Sequence, residues 1–372
     1  MIGNTVVILG SYAPSLVQFR GPLIAAMAER GHHVIASAPR ISPEVSAKLR
    51  RLGAEPRELP LANASLNPFG MLASLRALRR LLAEIRPDVL ISYTIKPVIL
   101  GALVGRAERV PRIISLVTGV GYAFTEGSEF RRLISRAVAS RLYRLAFKRS
   151  TTVVFQNPDD EALFRTLRLV GPDASVQRVD GSGVDLDHYT PAPVPDGASF
   201  LMIARLLKDK GIREFAGAAK RLKAEHPDIP IALVGRLDPS PDSLTRAELD
   251  DLMHCGIAFH GELADVRPAI AACSVYVLPS YREGTPRSVL EAMAMGRALI
   301  TTDAPGCRET VRHDENGLLI PPRNADALHK AMLRFVHEPT LAARMGPASR
   351  LLAEQRFDVH RVTSDMLEIV GL

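Results

Sequence analysis

Residues 280–305 read SYREGTPRSVLEAMAMGRALITTDAP, and the fold class follows from this stretch. The preceding apolar run Ser274–Leu278, closed by Pro279, has the length and composition of a short buried strand. Thr285 stands where a helix N-cap belongs, Pro286 at the first helical position, and good helix formers continue to Met295. Gly296 supplies a C-terminal stop, and 298–302 begins the next strand. The opening turn of such a helix presents unpaired N–H groups and the positive end of the macrodipole, so an anion belongs there.

Two carboxylates bracket that helix start: Glu283 in the loop before it and Glu291 inside it. Helical side chains lean toward the N-terminus, which brings Glu291 alongside a docked anion. Carboxylates do not bind phosphate, but they accept hydrogen bonds from hydroxyls. An anion site flanked by two of them suits a ligand with hydroxyls on both sides of its phosphates, the shape of a nucleotide sugar.

Elsewhere the chain alternates strands and helices. The segment 6–10, a loop at 11–15, a helix over about 18–30 stopped by Gly31, and a strand at 33–37 form a beta–alpha–beta start. Further strands are expected at 88–92, 112–117 and 151–156, with helices at 71–85, 98–107, 130–149 and about 158–168. The proline-rich DHYTPAPVPDG at 187–197 is the best linker. A second unit follows: strands at 199–203, 229–234, 257–260, 274–278 and 298–302, with helices at 211–225 and 264–272, the 286–295 helix and a last helical pair. Two doubly wound, Rossmann-like α/β domains facing a central cleft are expected, split as 1–185 and 186–354.

At 372 residues the chain has room for two ordinary cores, and 47% apolar content marks a globular protein. Its three cysteines (Cys255, Cys273, Cys307) match no disulfide or metal spacing and read as buried cytosolic thiols. The start MIGNTVVILG reads as a first strand rather than a signal peptide, and no uncharged run approaches the about 18 apolar residues that span a bilayer. The net charge of +7 is uneven. Residues 1–185 carry 25 Lys/Arg against 15 Asp/Glu, the remainder 22 against 25. Seven basic and no acidic residues fall within 130–150, FRRLISRAVASRLYRLAFKRS. Phe130, Leu133, Ile134, Val138, Leu142, Leu145 and Ala146 are expected on one face of that helix. Arg131, Arg132, Arg136 and Arg141 on the other form either an ordinary solvated side or a face for anionic lipid. The absence of Trp, 5% aromatic content and the lack of a recognisable motif argue against a nucleic-acid-binding protein.

Arg205 and Lys210, in ARLLKDKGI after the 199–203 strand, sit where α/β domains hold ligands and could neutralise a diphosphate leaving group without metal. Gly235 and Arg236 close the IALVGR strand at the same edge. Gly10 is a lone glycine turn, and neither Gly119–Gly121 nor Gly181–Gly183 completes a dinucleotide fingerprint. Asp185 and Asp187 form an Asp-x-Asp string, taken here as a turn at the domain junction; no metal site and no cofactor are expected. In the first domain Lys96 (SYTIKP), with Thr118, Tyr122 and Glu126 (VTGVGYAFTE), follow strands and are candidates for the acceptor side.

The Glu-x7-Glu setting REGTPRSVLEAMAMG resembles the donor signature of the retaining glycosyltransferases of family four, which have the GT-B fold. The resemblance implies Arg205 and Lys210 on the donor phosphates, Glu291 on the ribose and Glu283 on the sugar. It also places Gly284, Thr285, Pro286, Arg287 and Ser288 at the donor, and backbone groups near Leu263 (HGELADV) on a uracil base. It implies that the final segment, 355–372, crosses back to the first domain. Many members carry a histidine after the 112–117 strand; this chain has Thr118-Gly119, so that role is not carried over. SYTIKP and TGVGY resemble instead the subgroup that extends sugars on polyprenyl diphosphate. The expected activity is transfer of a hexose, an N-acetylhexosamine such as GalNAc favoured, from a UDP-sugar, on the cytoplasmic face of the inner membrane. A UDP-sugar epimerase of the same fold is the alternative.

Overall fold

The computed structural model describes residues 3–61, 68–119, 130–238, 240 and 242–372, without the side chains of 68, 69 and 130–136. The chain divides into two compact units, 1–182 with 362–372 and 183–361.

In the first unit, strands β1 (Thr5–Leu9), β2 (His33–Ala38), β3 (Ala54–Glu58), β4 (Val89–Tyr93), β5 (Arg112–Val117), β6 (Thr152–Phe155) and β7 (Val176–Arg178) form one parallel sheet. Its order is β3-β2-β1-β4-β5-β6-β7. The central strands are apolar and buried on both faces because helices cover both. Helices α1 (Ala13–Gln18), α2 (Gly21–Glu29) and α3 (Pro43–Arg51) pack on one side. On the other lie α4 (Pro68–Ile85), α5 (Ile95–Ala107) and α6 (Phe130–Phe147). Helix α7 (Pro158–Thr166) joins α6 around an aromatic cluster of Tyr143, Phe147, Phe155 and Phe164, with ring centroids 5.2 Å apart for Tyr143–Phe164.

Two expectations for this unit are corrected. The helix expected over about 18–30 is α2, Gly21–Glu29, and a separate short helix, α1, occupies Ala13–Gln18, where 11–15 was expected to be loop; the two are broken at Phe19–Arg20. Pro22 would clash with the carbonyl of Gln18 in a continuous helix, and instead opens the first turn of a new one. Among the described side chains of α6 the buried ones are Tyr143, Ala146 and Phe147; Ala146 lies on the expected apolar face, while Val138 and Leu145 of that face are 42% and 39% exposed. The aromatic cluster sets the rotation of that helix. Phe130, Leu133, Ile134, Arg131, Arg132 and Arg136 have side chains outside the description; Arg141 is exposed.

In the second unit, β8 (Phe200–Ile203), β9 (Ile231–Val234), β10 (Ala258–Phe259), β11 (Val275–Leu278), β12 (Ala298–Thr302) and β13 (Gly317–Ile320) pair in parallel in the order β10-β9-β8-β11-β12-β13. Between and after them run α8 (Ile212–Glu225), α9 (Arg246–His254), α10 (Arg267–Ala271), α11 (Arg287–Ala294), α12 (Ala325–His337) and α13 (Leu341–Leu352). Helix α14 (Val359–Val370) starts in this unit and from Val362 onward belongs to the first, packing Val362, Met366, Leu367 and Val370 into its core. No helix among the described residues is long and apolar enough to cross a membrane.

The linker is tied down by buried arginine. Arg297, fully buried, donates to the carbonyls of Pro193 and Cys273 at 3.0 Å and of Ala192 at 2.5 Å. Arg297→Leu would leave three carbonyls without their donor. The expected cost is about 3 kcal/mol. A thermal melt should show a fall of about 8 °C for a unit of this size. A change under about 2 °C would show that this contact carries no weight.

Candidate active site

In an open doubly wound sheet, ligands bind outside the carboxyl ends of the strands where the strand order reverses. The second unit has its switch point between β8 and β11, and the chain emerging from each carries the expected donor-site residues. After β8 come Arg205 and a 3-10 turn at Lys208–Lys210; after β11 come 279–286 and α11. The two loops are stitched together. Tyr281 N–H donates to Asp209 O at 2.8 Å, Ser280 Oγ donates to the same carbonyl at 3.1 Å, and Thr302 Oγ1 donates to Ser280 O.

Across that seam Lys210 Nζ lies 2.6 Å from Glu283 Oε1, with side chains 18% and 14% exposed. Burial works against the Lys210 ammonium, but the Glu283 carboxylate, helped by Asp209, more than offsets it and holds the lysine pKa above its ordinary value. Lys210 is therefore a fixed positive charge at neutral pH. Arg205 is different. Its side chain is 56% exposed, 3.6 Å from Asp238, and free to turn toward a ligand.

The start of α11 departs from the sequence expectation by one residue. Pro286, at φ −75° and ψ 107°, is the N-cap rather than the first helical residue, and the helix runs Arg287–Ala294. Val289 and Leu290 already donate back to Pro286 O, so the N–H groups of Arg287 and Ser288 head the helix. Gly296, φ +73°, ends it in the left-handed conformation. Glu291, 8% exposed, accepts from Arg287 Nε at 2.9 Å. Burial, with Glu291 and its hydrogen bond next, pushes the Tyr189 phenol well above its ordinary pKa, so this tyrosine stands against the same carboxylate. Tyr276 donates to Ile203 O at 3.0 Å and fixes the floor of the switch point. Neither tyrosine carries a sequence signal that separates it from core.

Gly235 leaves β9 at φ +150°, and a Cβ there would lie 1.9 Å from Ala204 O, immediately before Arg205. Its N–H donates to Gly261 O at 2.8 Å, joining the 260–266 loop to the site; Leu263 in that loop is half-buried against the core. Arg236 has an exposed side chain, and its carbonyl accepts from Leu206 N–H at 3.2 Å, beside Arg205. Asp185 accepts from the N–H groups of Asp187 (3.0 Å) and His188 (2.9 Å), a self-contained turn. Among the described residues no group of three or more His, Cys, Asp or Glu is placed to hold a metal ion.

The first unit has its own switch point, between β1 and β4. Gly10 follows β1, packed so tightly that a Cβ would meet the Tyr93 hydroxyl at 2.4 Å. Thr94 follows β4 at φ +68° and ψ 157°, a region costly for a β-branched residue and characteristic of functional loops. Its hydroxyl donates to Ser11 Oγ at 2.9 Å, while Ser15 Oγ and the Tyr93 hydroxyl lie 2.8 Å apart. Lys96 stands in the first turn of α5, its pKa lowered by partial desolvation. Thr118 follows β5 half-buried; Tyr122 and Glu126 lie outside the described residues.

Two doubly wound parallel units, the second with a cation–carboxylate pair beside a helix N-terminus at its switch point, define a glycosyltransferase of the GT-B class. Comparison with known proteins supplies the family. Residues 197–338 match the family model "Glycosyl transferases group 1", and residues 18–180 match "Glycosyl transferase 4-like domain". The chain is 30% identical over 341 residues to the N,N'-diacetylbacillosaminyl-diphospho-undecaprenol alpha-1,3-N-acetylgalactosaminyltransferase of Campylobacter jejuni, covering 88% of each. It is 26% identical over 283 residues to the UDP-Gal:alpha-D-GlcNAc-diphosphoundecaprenol alpha-1,3-galactosyltransferase of Escherichia coli, covering 72% of this chain and 71% of the other. Among solved structures, the sucrose-phosphate synthase of Thermosynechococcus elongatus superposes with a TM-score of 0.81 at 19% identity, covering 98% of both chains. Anabaena HepE in complex with UDP-glucose gives 0.80 at 20% identity, covering 99% of both. The chain belongs to glycosyltransferase family four.

Proposed function

We propose that this enzyme moves a hexose, an N-acetylhexosamine such as GalNAc favoured, from a UDP-sugar onto a sugar carried by polyprenyl diphosphate, with retention at the anomeric carbon. The observation that carries the donor half is the buried Lys210–Glu283 pair at the switch point beside the first turn of α11. As the bond from sugar to phosphate breaks, negative charge gathers on the departing UDP. Lys210 and the N–H groups of Arg287 and Ser288 would take up that charge without reorganising, and Arg205 would turn in to join them. Glu283 and Glu291 would accept from sugar and ribose hydroxyls, with Gly284, Thr285 and Pro286 shaping the wall and Leu263 beside the base. No metal ion is needed in this scheme, because the leaving group meets the Lys210 and Arg205 cations.

The acceptor half rests on the two bacterial relatives, both named for undecaprenol-linked substrates. Such a lipid would be met at the cytoplasmic face of the inner membrane. Helix α6 suits that contact: Arg141 is exposed between the exposed Val138 and Leu145, so cations and apolar tips share one side.

The deciding experiment is UDP release from a panel of UDP-sugars, with chelator, with and without a polyprenyl-diphosphate sugar. Release from one donor, dependent on the lipid and indifferent to chelator, is the expected result. Sugar interconversion without lipid would replace the proposal with an epimerase, and loss of release on chelation would overturn the metal-free scheme.

A further inference from the structure

Arg20, the N-cap residue of α2, is only 5% exposed, and among the described residues it has no acidic partner and no hydrogen-bond acceptor. Its Nε is buried without a partner, and its guanidinium lies over the Tyr93 ring, 5.0 Å from the centroid. Arg297, also buried and with an Nε that likewise lacks a partner, shows the usual solution at its terminal nitrogens, which donate to three carbonyls. A buried cation without such partners is costly, and a cation–π contact recovers only part of that cost. Burial draws the Arg20 pKa down to about 10, the Tyr93 contribution opposing it, so the charge persists at neutral pH. The fold holds a desolvated positive charge and supplies no negative one.

The same guanidinium lines a pocket built within the first unit. One wall is the first turn of the nine-residue α2, at Pro22, which has no N–H, and Leu23, whose N–H is one of those a helix start leaves without an intrahelical partner. Opposite stand the hydroxyl-bearing Ser182, after β7, and Thr363 on α14. We propose that this pocket is a binding site for a phosphate-class oxyanion, with Arg20 as its counter-charge and the Ser182 and Thr363 hydroxyls and the Leu23 N–H as further donors. A guanidinium fork with donors converging from separate elements matches a tetrahedral oxyanion better than a planar or monatomic anion. The phosphoryl group belongs either to a small soluble phosphate or to a lipid-linked diphosphate. The inference does not depend on the sugar-transfer reading.

The test is a thermal melt of the full chain against inorganic phosphate and against pyrophosphate, at ionic strength matched with chloride. The wild-type Tm rises with either anion, whereas Arg20→Met, without anion, melts at or above the wild type and does not respond. Arg20→Lys keeps the charge but not the fork, and its affinity falls by about tenfold or more. No response in the wild type, or an equal response in Arg20→Met, overturns the site; if Arg20→Met does not fold, the wild-type titration decides alone. UDP added in the same assay separates the two readings. Its stabilising effect persists in Arg20→Met if the donor site lies in the second unit, and its absence in the wild type counts against the donor reading only. Flotation on vesicles carrying polyprenyl diphosphate identifies the source: binding lost in Arg20→Met assigns the lipid-linked group, and binding unchanged assigns the soluble phosphate.

Discussion

Arg205→Ala is expected to lower the turnover of sugar transfer by about 10²–10³-fold, the effect of removing one donor from a developing oxyanion. Stability should hardly move. The side chain is 56% exposed, and its one ion pair among the described residues is a loose one, 3.6 Å from Asp238. Exposed pairs contribute about 0–1 kcal/mol. This combination makes the variant informative, because loss of activity cannot be charged to unfolding. Tm should stay within about 2 °C of the wild type. If Arg205 acts only as the leaving group departs, kcat falls while KM for the UDP-sugar changes little; a rise in KM alone would make it a ground-state binder. Near-normal turnover in the folded variant would remove Arg205 from the catalytic set.

The sequence carried the architecture further than it carried the details of the site. Strands β5 and β12 fall where the apolar runs place them, at Arg112–Val117 and Ala298–Thr302, because strands buried on both faces leave unbroken apolar runs. The edge was less legible. Strand β3, AEPRE, is polar and contains proline, and only its register with β2 makes it a strand. The rotation of α6 is only partly legible for a related reason: Leu142 and Ala146 of the expected apolar face pack against the core, and Val138 and Leu145 do not. Apolar residues occur around much of that helix, and what decides the inner face is Phe164, on a different helix.

At the site, Glu283, Glu291, Arg205 and Lys210 could be found because glycine, proline and charge mark the loops at strand ends. What could not be read was their pairing. Lys210 and Glu283 are 73 residues apart, and Arg287 rather than solvent meets Glu291. Arg20 left no signal at all. An arginine at the head of an amphipathic helix is ordinarily a surface group, and only the burial around it shows otherwise.

Lys210→Met is expected to cost both activity and stability, and for one reason. The substitution leaves the Glu283 carboxylate, 14% exposed, without its counter-charge. Breaking a buried pair from one side costs about 3–5 kcal/mol. For a unit of this size, that is a fall in Tm of about 10 °C. Adding Glu283→Gln should return much of the stability, since a neutral amide is cheaper to bury than a lone carboxylate, while transfer stays lost because the cation facing the leaving group is still missing. The pH dependence gives an independent check. Because the folded pKa of Lys210 is raised above its ordinary 10.5, the contribution of the pair is complete below that value and is lost only as pH climbs through the higher folded one. The stability gap between wild type and Lys210→Met, measured by denaturant unfolding, should therefore be level from neutral pH to about 10 and close only beyond it. A gap already closing near pH 8 would mean that the carboxylate does not hold this ammonium, and the fixed cation assigned to the departing UDP would have to be sought elsewhere in the loop.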